Sequence, residues 1–199
     1  FLAAWFEARR EREVRDFMTG LFPFLAALGV IAGLIMLQPD MGTMGIIFIS
    51  SFVVYFAAGA PLAHIAGIGG LGIAAFFIMI KVAPYRVARF TTFLHPELDP
   101  QNIGYQINQA LLAIGSGGIL GLGYGQSRQK FLYLPQAYGD SIFAVMAEEM
   151  GFIFLLFFFF ALAVFFFRGI RIARRAPDIF GRLLATGIIS WLMFQALYN

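Results

Sequence analysis

The chain has 199 residues, of which 60% are hydrophobic and 13% charged, with 25 Phe, no Cys and a formal net charge of +3. Soluble domains carry about 25% charged residues, so this composition excludes an ordinary soluble domain and reads as an integral membrane protein. The lack of Cys excludes disulfides, zinc–thiolate sites and thiol nucleophiles, and leaves the redox compartment open.

Taken in order, Phe1 to Phe6 reads as the tail of an upstream membrane helix. EARREREVRD follows, with four Arg and four acids in ten residues, and reads as a water-exposed segment at a membrane edge. Leu21 to Leu37 is an uncharged apolar run, and its flanks bring it to the ~20 residues a span needs. Pro23 falls in its first turn, where a missing N–H does least harm. Pro39 ends this helix and Asp40 is placed to N-cap the next. Thr43 to Ala58 is a second span, Gly59-Ala60-Pro61 a turn, and Ile65 to Val82 a third span. Gly69, Gly70 and Gly72 on that span are expected to let a neighbouring helix approach closely.

Residues 84–141 form the long polar stretch of the chain. GYQINQALLAI, from Gly104 to Ile114, predicts a short helix in or dipping into the membrane surface. Gln106 and Gln109 share a face of it and are candidate substrate-binding residues. Gly117, Gly118, Gly121, Gly123 and Gly125 predict a glycine-rich return. The strand–turn–helix context of a dinucleotide site and the Gly-Lys-Ser/Thr of a P-loop are both missing, so close backbone packing is the expected role of these glycines. Ile142 to Phe167 is a Phe-rich fourth span. As one helix it measures about 39 Å against a hydrocarbon core of about 30 Å, so its beginning is expected to protrude or tilt. RGIRIARRAPDIFGR reads as a loop, and Leu183 to Asn199 opens a fifth span. The chain therefore reads as one all-α integral-membrane domain, 1–199, truncated at both ends.

The Arg-rich segments near residues 10 and 174 lie four spans apart, on the same side by alternation. They hold nine of the fourteen basic residues, and the positive-inside bias makes that side cytoplasmic. The 84–141 stretch is then extracytoplasmic. Asp140 ends it, where it can cap the fourth span. Glu148 and Glu149 lie on that span, where acids are expensive, and are read as structural or substrate-orienting residues. Arg89 and Lys130 are cations placed to meet a substrate phosphate. No second His, Cys or acid lies at ligand spacing to His95, so a dedicated metal cage is not indicated.

RFTTFLHPELDPQNIGYQINQALLAIGSGGILGLGYGQSRQKFLYLPQAYGDSIFAVMAEEMG, together with QPDMGT at 38–43, resembles the SEDS family of shape, elongation, division and sporulation proteins. GQSRQKF at 125–131 is more similar to its division branch, FtsW, than to its elongation branch, RodA. The resemblance covers essentially the whole chain. It implies a fold of about ten transmembrane helices, of which this chain holds the end of the fourth through most of the ninth. The polar stretch then matches the large extracytoplasmic loop between helices seven and eight.

The resemblance also implies a peptidoglycan glycosyltransferase in the bacterial cytoplasmic membrane. It would polymerise lipid II during cell division beside a class B penicillin-binding protein, with membrane lipids and no nucleic acid as further partners. The family's essential acid falls on Asp140. Gln136, Tyr138, Gly139 and Ser141 depart from the motif around it, which puts roles for the neighbouring positions in doubt. One positioned carboxylate suffices for an inverting transfer of a sugar hydroxyl. Arg89, Lys130 or a bound divalent cation would meet the leaving diphosphate. A lipid II flippase and a non-catalytic division scaffold are the alternatives. The acid at the outer mouth and the absence of mid-membrane charge in the three preceding spans favour the enzyme.

Overall fold

A computed structural model describes residues 1–38, 40–82, 91–92, 95, 103–129, 139 and 141–198. The described elements are helical, and the chain divides into two units. Phe1–Leu71 with Ala163–Tyr198 forms one, and Gly72–Leu162 the other. α5 (Leu62–Val82) and α7 (Ile142–Arg175) contribute to both.

In the first unit, α1 (Leu2–Glu7) and α2 (Glu11–Arg15) lead into a π-helical turn, Phe17–Leu21, and then α3 (Phe22–Met36). Asp16 caps the π turn, its Oδ2 accepting from the N–H groups of Met18 and Thr19 at 3.0 Å each. The Thr19 N–H, then its hydroxyl, hold the Asp16 carboxyl below its ordinary pKa. The turn is tight because Gly20 has no side chain: a Cβ there would lie 2.3 Å from the Val14 carbonyl oxygen. α4 (Met41–Ala57) opens on Asp40 as expected. The Asp40 Oδ1 accepts the Thr43 N–H at 3.0 Å and its Oδ2 the Thr43 hydroxyl at 2.6 Å.

α8 (Ile179–Tyr198) runs antiparallel to α4. Gly42 lies against the Tyr198 ring at one end, and Phe56 and Ala57 share a cavity with Arg182 and Thr186 at the other. The core is aromatic. Tyr55 is fully buried and stacks on Phe24, with ring centroids 4.5 Å apart, and on Phe6, at 5.4 Å. Its hydroxyl donates to the Val14 carbonyl at 3.2 Å and lies 2.9 Å from His64 Nδ1, so the one buried polar atom of this stack is satisfied.

Three described helices are long and apolar enough to cross a membrane: Phe17–Ile35, Ile142–Arg175 and Ile179–Tyr198. Gly42–Ala57 and Leu62–Gly72 are apolar but shorter. One expectation is corrected here. The Arg-rich stretch after Phe167 is not a loop, because α7 continues to Arg175 and only Ala176, Pro177 and Asp178 separate it from α8. Arg and Ile propagate a helix already nucleated by an apolar span, and Pro177 stops it. Asp178 then accepts the Gly181 N–H at 2.9 Å, starting α8. At Gly69, Gly70 and Gly72 the surface of α5 is open: among the described residues, nothing lies within 4 Å of where a Cβ would stand on any of them.

Candidate functional site: the glycine-rich return and the broken helix

The second unit brings the polar stretch onto the start of α7. α6 (Ile103–Gly117) forms where the sequence predicts it. Its small residues Ala110 and Ala113 pack on Ala144 and Val145 of α7. Gln106 Nε2 lies 3.5 Å from the Ser141 hydroxyl, at the foot of α7. Leu111 and Leu112 face outward beside a groove of about 630 Å³ shared with Asn108, Gly115 and Ser116. α6 is thus amphipathic, with its small residues on α7 and its large ones on an open side.

Past Gly117 the chain turns back along α7 at backbone-to-backbone distance. A Cβ on Gly117 would stand 2.0 Å from the Ala147 carbonyl oxygen, and one on Gly121 2.2 Å from that of Glu149. The approach is possible because α7 is broken at Gly151, whose φ of 75° and ψ of −179° are far from helical. Only Gly takes this conformation without strain.

The break exchanges hydrogen bonds. In an unbroken helix the N–H groups of Phe152 and Ile153 would bond to the carbonyls of Glu148 and Glu149. Here Phe152 N donates to Gly118 O at 3.0 Å and Ile153 N to Ile119 O at 3.2 Å. The two freed carbonyls accept from Leu122 N at 2.9 Å and Gly123 N at 3.0 Å. Two intrahelical bonds become four between segments, so each of the four main-chain groups freed by the break regains a partner. This corrects the reading of residues 142–167 as one continuous helix. Close packing as the role of Gly117 and Gly121 is what the structure shows.

Glu148 adds a side-chain tie to the same segment. It is 1% exposed, and both carboxylate oxygens are engaged. Ser127 Oγ donates to Oε2 at 2.5 Å and Arg128 N to Oε1 at 3.0 Å. A carboxylate so deeply buried is tolerable only when hydrogen-bonded. Glu149 is buried one position further on, and its carbonyl is one of the two in the exchange. The structure therefore gathers Gln106, Ser141, Glu148 and Glu149 in one unit, with half-buried Gln109 on the same α6. Asp40 belongs to the first unit. Asp140, Arg89 and Lys130 lie outside the described residues.

Sequence reasoning missed Ser127, the Arg128 N–H and Gly151. A signal for Gly151 was available: it is a Gly inside an apolar run, two residues after a pair of acids.

The comparisons with known proteins agree with this architecture. The stage V sporulation protein E of Bacillus subtilis (strain 168) is 42% identical over 202 residues, covering 100% of this chain and 54% of that protein. The probable peptidoglycan glycosyltransferase FtsW of Escherichia coli O6:H1 is 40% identical across 96% of this chain and 47% of its own length. That of Geobacter sp. (strain M18) is 38% identical across 96% and 52%. The chain thus spans about half the length of the curated relatives it matches. A chain of the solved structure described as "Structural coordination of polymerization and crosslinking by a peptidoglycan synthase complex" shares the fold. Its TM-score is 0.72 over 98% of this chain and 53% of that one, at 24% identity. The family model of the FtsW, RodA and SpoVE proteins, described as "Cell cycle protein", matches residues 1–199, and the chain belongs to that family.

Proposed function

We propose that the protein polymerises lipid II into glycan strands at the outer face of the bacterial cytoplasmic membrane, in septal wall synthesis, beside a class B penicillin-binding protein. The observation that carries this reading is the fixed junction at the start of α7. Four main-chain hydrogen bonds and the Glu148 carboxylate hold the chain on both sides of the segment in which Asp140 falls. Rigid support of this kind is what a positioned catalytic group requires. The names of the FtsW relatives and the peptidoglycan synthase complex to which the structural neighbour belongs support the same reading.

In this reaction the 4-hydroxyl of one sugar attacks the anomeric carbon of another. Asp140 takes the hydroxyl proton as the new C–O bond forms, and the bond to the lipid diphosphate breaks with inversion. Arg89 and Lys130 meet the charge that develops on the leaving diphosphate, while Gln106 and Gln109 line the approach of the sugars. Asp40, Glu148 and Glu149 act through structure. The side assignment is supported within the first unit. Arg15 Nε donates to Gly59 O at 3.4 Å, and Arg174 and Arg182 share a cavity with Ala57, so the two basic segments gather at one end, the cytoplasmic one.

The test is glycan-strand formation from purified lipid II by the full-length protein with its partner. Asp140→Asn is expected to abolish polymerisation at unchanged membrane insertion, and a near wild-type rate would remove Asp140 as the base. Arg89→Ala and Lys130→Ala are each expected to slow turnover roughly ten- to a hundredfold, the worth of one charge-assisted phosphate contact. An unchanged rate in both would assign the diphosphate to a metal ion or to backbone amides.

A further inference from the structure

The basic end of the first unit holds a cavity that the polymerisation reaction does not use. It measures about 410 Å³ and opens between the last turn of α4, the basic end of α7 and the first half of α8. This volume is in the range of small-molecule sites, roughly 300–1,000 Å³. Phe56, Phe166, Ile170 and Ile189 supply apolar walls, and Arg174 and Arg182 are exposed cations on its lining.

The hydroxyl donors on its wall are already used: Thr186 Oγ1 donates to Arg182 O at 2.8 Å and Ser190 Oγ to Gly187 O at 3.0 Å, leaving no hydroxyl to donate to a ligand there. The interior therefore asks for an apolar ligand. Among the described residues no carboxylate lines the cavity or pairs with either guanidinium. Asp178, one turn before Arg182, accepts the Gly181 N–H on its Oδ1. A second cavity, of about 490 Å³, adjoins the first through Ile170 and Arg174, which line both, and adds Arg171 and Arg175. Arginines that merely anchor a helix at the membrane surface need only water and scattered headgroups. Here they border an apolar chamber.

We propose that this cavity binds an anionic phospholipid, with the phosphodiester between Arg174 and Arg182 and an acyl chain along Phe166 and Ile170. Guanidinium groups match phosphate oxygens in pairs, and basic pockets between membrane helices suit anionic headgroups on the cytoplasmic side. A free phosphate satisfies the arginines but leaves the apolar walls unfilled, so the lipid is the occupant.

The experiment uses the full-length protein, partially delipidated and titrated with phosphatidylglycerol or phosphatidylcholine, with bound lipid counted by native mass spectrometry. One phosphatidylglycerol is expected to remain bound where phosphatidylcholine does not. Arg174→Gln with Arg182→Gln is expected to lower its apparent affinity about tenfold or more. Ala57→Phe fills the cavity and leaves both charges, and is expected to do the same. Arg174→Gln alone, the milder change, is expected to give a smaller loss in the same direction. Three results would overturn the proposal. One is binding that the Ala57 variant leaves intact, which reduces the effect to surface charge. Another is equal retention of the two lipids. The third is displacement of the lipid by millimolar glycerol phosphate, which makes the site a headgroup site without an acyl chamber.

Discussion

The two units are held together in opposite ways. In the first, side chains do it: Tyr55, Phe24 and Phe6 stack in a buried aromatic column. In the second, main chain meets main chain, and the fit depends on side chains that are absent at Gly117, Gly121 and Gly151. An aromatic core loses stability in proportion to what is removed. A backbone contact at van der Waals limit has no small change available to it. The unit that carries the candidate site is therefore the less tolerant of the two.

The largest expected effect tests that contrast directly. Gly151→Ala or Gly121→Ala adds a methyl at 2.3 or 2.2 Å from main-chain atoms, at φ values of 75° and 79°. Strain and overpacking together put the loss at about 3 kcal/mol or more. It would be read as a collapse of monodisperse yield and thermal midpoint for the full-length protein in detergent. A midpoint unchanged within error would mean that the break is not fixed by these contacts.

Next comes Glu148→Ala, which removes the buried acceptor that the Ser127 hydroxyl and the Arg128 N–H share and is expected to cost about 2–3 kcal/mol. Ser127→Ala removes one of the two bonds and should cost less. A double-mutant cycle is expected to show clear coupling between the pair; strict additivity would deny the tie.

In the first unit, Tyr55→Phe keeps the stack and deletes the hydroxyl contacts to Val14 and His64. A loss of about 1 kcal/mol is expected, and thermal melting of the purified variant measures it. A loss as large as that of the Gly151 variant would erase the distinction between the units.

Smallest is Gly69→Ala or Gly70→Ala. With no neighbour within 4 Å among the described residues, the expected result is neutral, or a gain of up to about 1 kcal/mol from helix propensity. Strong destabilisation in the same melting assay would place another helix against α5.

Much of this was legible in the sequence. Apolar run length gave the helices, Asp40 three residues before Thr43 gave the α4 cap, and clustered Gly gave the return. The break in α7 left only the faint mark of a Gly two residues after a pair of acids, because hydropathy registers no interruption at Met150-Gly151-Phe152. Its cause lies some 30 residues away, in the carbonyls of Gly118 and Ile119. The run to Arg175 was misread for a related reason: charge was taken as the end of a helix, when it marks only the end of an apolar stretch. Asp140, the residue on which the proposed chemistry turns, was legible by position as a capping acid but as a base only through family resemblance, and its surroundings lie outside the described residues.

The exchange at Gly151 also changes how the chain is expected to enter the bilayer during synthesis. Counted as one rod, α7 carries Glu148 and Glu149 into the membrane. An acid at the centre of an inserting helix costs roughly 2.5–3.5 kcal/mol. With the rod cut at Gly151, the piece from Phe152 onward is about 36 Å long at 1.5 Å per residue, enough to cross by itself. It meets no charged side chain before Arg168. The insertion machinery can take Phe152 to Arg175 as a self-sufficient span and leave residues 142–150 to the loop, to be docked afterwards by the glycine return. The two glutamates are then no burden on topology.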